Sequence, residues 1–162
     1  MRFIEHEIIV IRDRPACGIA WNEGIKQAKG NYIHLSADDL EPIQGWIGAA
    51  VATAKRDELP SARILNTDGT LQSCGTDHLE HDDGEEAFVA RVPFATREQF
   101  NRIGPMLTNH YMGDYWFSHR GRECGYPSVV RRDYCFVHHY AREGRIDTLA
   151  ADVLAYKKLG GQ

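Results

Sequence analysis

The chain has 162 residues, of which 43% are hydrophobic and 26% charged, and its 19 basic and 23 acidic residues give a formal charge of −4. This composition fits one globular domain with a core, and it excludes the basic excess of a nucleic-acid-wrapping protein and the charge block of a disordered tail. No apolar run is long enough to cross a bilayer, and the N-terminal run lies between charges, so neither a membrane span nor a signal peptide is predicted.

The four cysteines are widely spaced and form no Cys-x-x-Cys pair; they are Cys17, Cys74, Cys124 and Cys135. A zinc knuckle needs closely spaced cysteine pairs, and a disulfide scaffold is dense in cysteine. The spacing therefore predicts reduced thiols and a cytoplasmic protein.

The first third of the chain alternates strand-like and helix-like segments. Glu7–Ile11 and Tyr32–Leu35 are short apolar runs typical of buried strands, and Asn22–Ala28 between them has a helical pattern. A longer helix is predicted from Pro42, which suits a first helical turn. Its apolar face would comprise Ile43, Trp46, Ile47, Ala50, Val51 and Ala54.

Turn and cap signals organise the middle of the chain. Asp68-Gly69 predicts a hairpin between Ala62–Asn66 and Leu71–Ser73. A strand is predicted over Phe88–Val92, after an acidic loop, and Thr96 with Gln99 forms a capping-box pattern ahead of a helix.

The last third is predicted to contain two helices and two strands. The helices are His110–Glu123 and Asp147–Leu159, and the strands are Ser128–Val130 and Tyr134–Val137. The alternation of strands and helices along the whole chain favours an α/β layer architecture.

Carboxylates at two places are candidates for chemistry. Asp38 and Asp39 follow a predicted strand, where carboxylates hold a divalent cation that binds phosphate, or simply cap the next helix. Asp114 stands among aromatic residues, where a carboxylate can act as a general base or lie on an exposed helix face.

Histidines and aromatic residues supply further candidates. His138 and His139 end a predicted strand, so only one of them is expected to face a site. Trp116 is a candidate to stack on a sugar, whereas Trp46 belongs to an apolar helix face and is expected in the core. His78 and His81, among acidic residues, fit no metal-ligand spacing and are expected in a solvated loop.

The order of these motifs resembles family 2 glycosyltransferases over residues 7–140. The resemblance rests on Asn22-Glu23-Gly24-Ile25, Ala28-Lys29-Gly30-Asn31-Tyr32-Ile33, Leu35-Ser36-Ala37-Asp38-Asp39, Pro42, Gly113-Asp114-Tyr115-Trp116, Arg120, Gly125-Tyr126 and Val137-His138-His139. It implies a GT-A fold, which is a Rossmann-like mixed α/β sheet flanked by helices. One such domain would span 1–162, with a donor and metal part at 1–60, an acceptor part at 61–140 and a C-terminal helix at 141–162.

The resemblance also implies an activity, which is transfer of a hexose from a nucleotide-diphosphate sugar to an acceptor hydroxyl with inversion. Asp114 matches the catalytic base. Asp38 and His138 match the residues that hold Mn²⁺ or Mg²⁺ at the diphosphate.

Further positions are matched to the two substrates. Asn22, Asp38 and Asp39 correspond to donor-binding positions, with Asp13 as a remnant of the base-binding carboxylate, and Trp116 and Arg120 lie in the acceptor-binding block.

Three departures separate the chain from the family pattern. Ser36 replaces the first carboxylate of the D-x-D motif, and Gly113 replaces the glutamate before the base. Glu7–Ile11 matches the second or the third family strand, which leaves no counterpart of the first strand. The chain is therefore expected to be either an enzyme truncated in its nucleotide-binding strands or a non-catalytic remnant that binds a sugar, a nucleotide or a partner.

The missing strand has a consequence for assembly. If strands as apolar as Glu7–Ile11 and Tyr32–Leu35 were left unpaired, they would form exposed sheet edges that associate with other chains. We expect them to pair directly, or to be covered by a second copy in a homodimer or by a separate chain that supplies the missing part.

Overall fold

A computed structural model describes residues 5–72, 83–139 and 149–160, which form five helices and five strands. The helices are α1 (Cys17–Gln27), α2 (Trp46–Ala54), α3 (Arg97–Ile103), α4 (Gly113–Glu123) and α5 (Leu149–Lys158). The strands are β1 (Tyr32–His34), β2 (Leu40–Pro42), β3 (Leu59–Leu65), β4 (Phe94–Thr96) and β5 (Ser128–His138).

The strand β5 is the centre of a three-stranded mixed sheet. It pairs with β3 in parallel and with β2 in antiparallel orientation, while β1 and β4 form a separate antiparallel pair. Helix α2 packs on β3 and β5, and α4 contacts β5. The predicted mixed α/β sheet flanked by helices is confirmed, whereas its GT-A-like character stays a prediction.

Two groups of buried side chains form the core. The first includes Ile33, Leu59, Phe100 and Phe117 and joins β1 to α3 and α4. The second joins α2 to the mixed sheet and includes Ala50, Ile64, Phe94, Tyr134 and Phe136, with Trp46 packed against it. Trp46 therefore belongs to the core, as its place on the apolar helix face predicts.

The two strands predicted near the C-terminus are halves of one strand. Ala62 pairs with Arg131, but the next residue, Arg63, pairs with Cys135, so β5 carries extra residues at an irregularity. A bulge of this kind bends the strand and raises its local twist. The hydroxyl of Tyr134, inside this irregularity, donates a hydrogen bond to the backbone oxygen of Val92.

The prediction of a buried strand at Glu7–Ile11 is wrong. The segment is irregular in the structure, and Ile8 and Val10 are 80% and 64% exposed. The segment is held beside the C-terminal end of α1 and joins no sheet. The Glu7 carboxylate accepts hydrogen bonds there from the backbone N–H groups of Lys29 and Gly30, at 2.5 and 3.0 Å. The expected direct pairing with Tyr32–Leu35 is also wrong, because β1 pairs with β4.

The helix predicted from Pro42 begins later, at Trp46. Gly45 precedes it with φ of 100°, and Leu40–Pro42 forms the edge strand β2. Proline is tolerated at a sheet edge because it lacks only a donor that the ladder does not need there. Asp38 and Asp39 consequently lie in the turn between β1 and β2, so they do not cap α2.

The cap and turn predicted from a few neighbouring residues are present in the structure, whereas a strand predicted from an apolar run is not. The capping box of Thr96 and Gln99 is present at α3, with both reciprocal hydrogen bonds. The Asp68-Gly69 turn is also present, with a bridge between Leu65 and Leu71, whereas Ser73 lies outside the described residues. The strand predicted at Phe88–Val92 is wrong, because that stretch is irregular.

The remaining predicted helices exist with shifted bounds. Helix α1 begins at Cys17, five residues before the predicted start, and α4 begins at Gly113. Helix α5 is described from Leu149, and its predicted cap Asp147 lies outside the described residues, as do Cys74, His78 and His81. Over the described part of the chain, no helix is both long and apolar enough to span a membrane.

His34 is packed within the aromatic part of the core. Its ring centroid lies 4.5 Å from that of Trp46 and 5.5 Å from that of Phe136, and its buried Nε2 has no hydrogen-bond partner. Burial lowers the pKa of His34 from 6.5 to about 4. The folded state therefore holds this imidazole neutral in a range where an unfolded chain would bind a proton.

We expect the free energy of unfolding to fall as the pH drops from about 6.5 to about 4, since only the unfolded state gains the proton. The His34 contribution to this loss is about 3 kcal/mol, from about 1.4 kcal/mol per pKa unit. Urea unfolding at pH 7 and pH 4.5 measures it, with His34→Phe as the matched variant. An unchanged pH dependence in His34→Phe would contradict the assignment.

Candidate functional site

Asp39, His138 and Gln72 form a hydrogen-bonded array at the end of the mixed sheet. The pairing of Leu40 with His138 brings the β1–β2 turn beside the end of β5. His138 Nε2 lies 3.0 Å from the Asp39 carboxylate, and Gln72 Nε2 lies 2.8 Å from His138 Nδ1. Gln72 Oε1 is also within reach of Nδ1, at 3.1 Å, so both ring nitrogens of His138 have partners that fix its ring plane.

The side chains of His138 and His139 contact different partners, as expected for adjacent positions that point to opposite faces of a strand. His139 Nε2 lies 2.7 Å from the Glu41 carboxylate, and both of these side chains are mostly exposed. Its backbone N–H donates to the backbone oxygen of Asp39 at 2.8 Å. His138 is therefore the histidine associated with the candidate site, and His139 secures the turn from outside.

The adjacent aspartates of the turn differ in environment. Asp38 is exposed, whereas Asp39 is half-buried against His138. The aspartate in contact with His138 is therefore Asp39, and the metal-binding roles that the resemblance implies for Asp38 and His138 stay predictions.

Cys17, at the first turn of α1, connects this array to α4. Burial and the nearby carboxylates of Asp114 and Asp39 raise the pKa of the Cys17 thiol to about 12. Both carboxylates therefore lie within electrostatic range of one half-buried sulfur atom. Asp39 and Asp114 therefore both contribute to the electrostatic surroundings of Cys17.

Trp21 lies between the two chain segments that carry these aspartates. Its indole N–H donates to the backbone oxygen of Ser36 at 3.3 Å. A Cβ added at Gly113 would lie 3.0 Å from the Trp21 ring, so the start of α4 packs directly on the indole. The next residue, Asp114, accepts a hydrogen bond from the Tyr115 N–H through Oδ1, at 2.9 Å.

Trp116 and Arg120 lie together on α4, but on another face than Asp114. The Arg120 guanidinium is 6.0 Å from the Trp116 ring centroid, and the Trp116 indole donates to the backbone oxygen of Pro105 at 3.2 Å. Because each helical residue turns by about 100°, Trp116 is rotated about 200° from Asp114. Their acceptor-binding role stays a prediction.

Asn22 contacts the chain segment before α4, and Asp13 lies in the turn before α1. The Asn22 amide donates to the backbone oxygen of Met106 and accepts from its N–H, both at 2.8 Å. Asp13 is exposed in the turn before α1, with φ of 56°, beside the ion pair of Arg14 with Glu23. The donor-binding roles of Asn22 and Asp13 stay predictions.

Sequence reasoning did not single out Cys17 and Gln72 as parts of this site. Gln72 follows the Asp68-Gly69 hairpin and reaches His138 across 66 residues of sequence. A lone cysteine and a lone glutamine carry no recognisable spacing, so no sequence signal could have selected them.

Within the described ranges, no group of three or more histidine, cysteine, aspartate or glutamate side chains is arranged to hold a metal ion. Both ring nitrogens of His138 are engaged by protein groups. A cation bound at His138 would replace Asp39 or Gln72 at the ring nitrogens, and the roles of Asp38 and His138 as metal ligands stay predictions.

No protein-family model matches the chain, and no curated protein matches it significantly.

The raised pKa of Cys17 predicts a slow thiol. A pKa of about 12 instead of 9.0 lowers the thiolate fraction at pH 8 about a thousandfold, and only the thiolate is alkylated. We expect iodoacetamide to modify Cys17 much more slowly in the folded than in the urea-unfolded protein, and Asp114→Asn to speed the reaction. Peptide mass spectrometry measures it; equal rates in folded and unfolded protein would contradict the prediction.

Proposed function

We propose that the chain is a GT-A-like domain that transfers a hexose from a nucleotide-diphosphate sugar to an acceptor hydroxyl. The observation that supports this is that Ser36 and Gly113, each close in sequence to one of the two aspartates, both contact Trp21, and that Asp39 contacts His138. These residues come from separate motifs of the resemblance, and the arrangement agrees with their serving one site.

In the proposed reaction, Asp114 acts as the general base. Its carboxylate takes the proton of the acceptor hydroxyl as that oxygen bonds to the anomeric carbon, and the bond from this carbon to the diphosphate oxygen breaks. The nucleoside diphosphate leaves with the electron pair of that bond. Attack from the face opposite the leaving group inverts the anomeric centre.

The turn at Asp38 and Asp39 is the proposed donor-side group. Its carboxylates offer oxygen ligands, and Mn²⁺ or Mg²⁺ held there would neutralise charge on the diphosphate. His138 orients the Asp39 carboxylate by the 3.0 Å contact.

Calorimetric titration with a panel of nucleotide-diphosphate sugars, with and without Mn²⁺, tests the proposal together with product analysis. We expect at least one donor to bind and to be turned over when a hydroxyl acceptor is present. The absence of binding to every donor, with and without the cation, would contradict it.

Substituting Asp38 and Asp39 one at a time tests which of them contributes more to donor binding. We expect Asp39→Asn to weaken donor binding more than Asp38→Asn, because Asp39 is the aspartate held by His138. The loss should be about tenfold or more, as for a broken charge-assisted hydrogen bond of 1.5–3 kcal/mol. Calorimetry of both variants measures it, and a larger loss in Asp38→Asn would restore the assignment from the motif.

A non-catalytic binding module is the second candidate. The exposure of Ile8 and Val10 favours it, because such side chains leave an apolar surface for a partner. Donor binding without turnover would support this candidate. Light scattering on the intact protein tests a homodimer, and a monomer at all concentrations would leave a separate chain as the partner.

A further inference from the structure

The segment between α3 and α4 is an irregular stretch that runs directly into Asp114. It comprises residues 104–112, and its last residue, Met112, has φ of 66° and ψ of 8°. A non-glycine residue in this left-handed region is disfavoured and persists where the surroundings hold it. The position of Asp114 thus depends on what holds this segment.

Asn22 holds the first half of the segment from α1. Its side-chain amide forms a two-bond ring with the Met106 backbone, both bonds at 2.8 Å, across 84 residues of sequence. Met106 itself is only 2% exposed. Because both polar atoms of the Asn22 amide are used in this ring, the side chain acts on the chain segment.

Asp152 holds the second half from α5. Its Oδ2 accepts a hydrogen bond from the backbone N–H of Tyr111 at 2.8 Å, one residue before Met112. Asp152 is 9% exposed on the inner face of α5. The Tyr156 ring, one helical turn later, contacts that of Tyr115 edge to face, with centroids 6.3 Å apart.

We propose that Asn22 and Asp152 are positioning residues for Asp114, acting through residues 104–112 from opposite ends. The two side chains fix Met106 and Tyr111, and thereby the backbone at Met112 and the start of α4. The assignment of Asp114 as the base rests on the proposed function, whereas the fixing of the segment does not.

Amide hydrogen exchange by NMR tests the fixing directly on the intact chain. Asn22→Ala removes two hydrogen bonds and should speed exchange at Met106 about tenfold to thirtyfold. Asp152→Ala should speed exchange at Tyr111 about fivefold to tenfold, and Asp152→Asn, which keeps an acceptor oxygen, should restore protection. In both alanine variants the Tyr115 amide signal should shift.

Gln27→Ala is the matched control, because Gln27 is exposed on α1 and its side chain donates to Glu23 on the same helix, at 3.3 Å. In the Gln27→Ala variant, the exchange rate at Met106 and the position of the Tyr115 amide signal should equal those of the parent protein. Unchanged exchange and an unmoved Tyr115 signal in Asn22→Ala and Asp152→Ala would overturn the proposal. Asn22→Asp, which keeps one of the two bonds, supplies the comparison where Asn22→Ala does not fold.

Steady-state kinetics supply a second readout. In these positioning variants kcat should fall while the donor KM stays near the parent value, and Asp152→Asn should recover kcat. A raised donor KM with unchanged kcat in Asn22→Asp would overturn the positioning role and assign Asn22 to the donor. A parent protein inactive with every donor would refute the proposed function, and the exchange data would still decide whether Asn22 and Asp152 fix the segment.

Discussion

Asp114→Asn should lower kcat by about 10²- to 10⁴-fold, the usual loss on removal of a general base. The amide keeps an oxygen that can accept the Tyr115 N–H, as Oδ1 does at 2.9 Å, so the start of α4 should be preserved. Donor affinity should stay near the parent value, because the base acts on the acceptor proton. Initial rates and donor titration on the same preparation measure both quantities.

Asp133→Asn provides the control for loss of a carboxylate, since Asp133 is exposed on β5. It should retain parent activity. An Asp114→Asn variant with full turnover would place the base at another residue, and a variant that loses donor binding would place Asp114 on the donor side.

Gly18→Ala should destabilise the fold more than the other substitutions proposed for α1. A Cβ at this position would lie 1.7 Å from the backbone oxygen of Leu107, and a backbone atom cannot rotate aside as the end of a flexible side chain can. The shift would also strain the hydrogen bond from the Gly18 N–H to Asn109, now 2.9 Å. We expect a loss of about 3 kcal/mol or more in the free energy of unfolding.

Gly48→Ala is the matched control, because Gly48 is exposed in α2 and an added Cβ would meet nothing within 4 Å. Alanine should stabilise that helix by about 0.5–1 kcal/mol. Urea denaturation of both variants measures the contrast. A Gly18→Ala variant as stable as the parent would show that the Leu107 backbone yields at little cost.

The parts of the fold that follow from nearby residues could be predicted from the sequence. The capping box of Thr96 and Gln99 and the turn at Asp68-Gly69 each depend on a few consecutive residues, and both are present. The strand Leu40–Pro42 could not be predicted, because it is created by β5, about a hundred residues later. The apolar run Glu7–Ile11 predicted a buried strand, but a strand is buried only when other parts of the chain pair with it and cover it. The run itself does not specify those parts.

The candidate site shows the same division. Asp114 and His138 were singled out from motif order, yet their relation depends on the tertiary placement of Cys17, Asp39 and Gln72. Which of Asp38 and Asp39 contacts His138 also required the structure, because adjacent residues in a turn differ in exposure for reasons outside the turn. Motif order selects positions, whereas the contact partners are set by strand pairing.

The central place of β5 has a consequence for how the chain folds during synthesis. Strands β2 and β3 are made before β5, but in the described sheet each is bonded to β5, which follows them much later in the chain. Loops of this length are entropically costly to close, so such sheets form slowly. On the ribosome, β2 and β3 would remain open edges until β5 emerges, a state in which nascent chains aggregate or recruit chaperones.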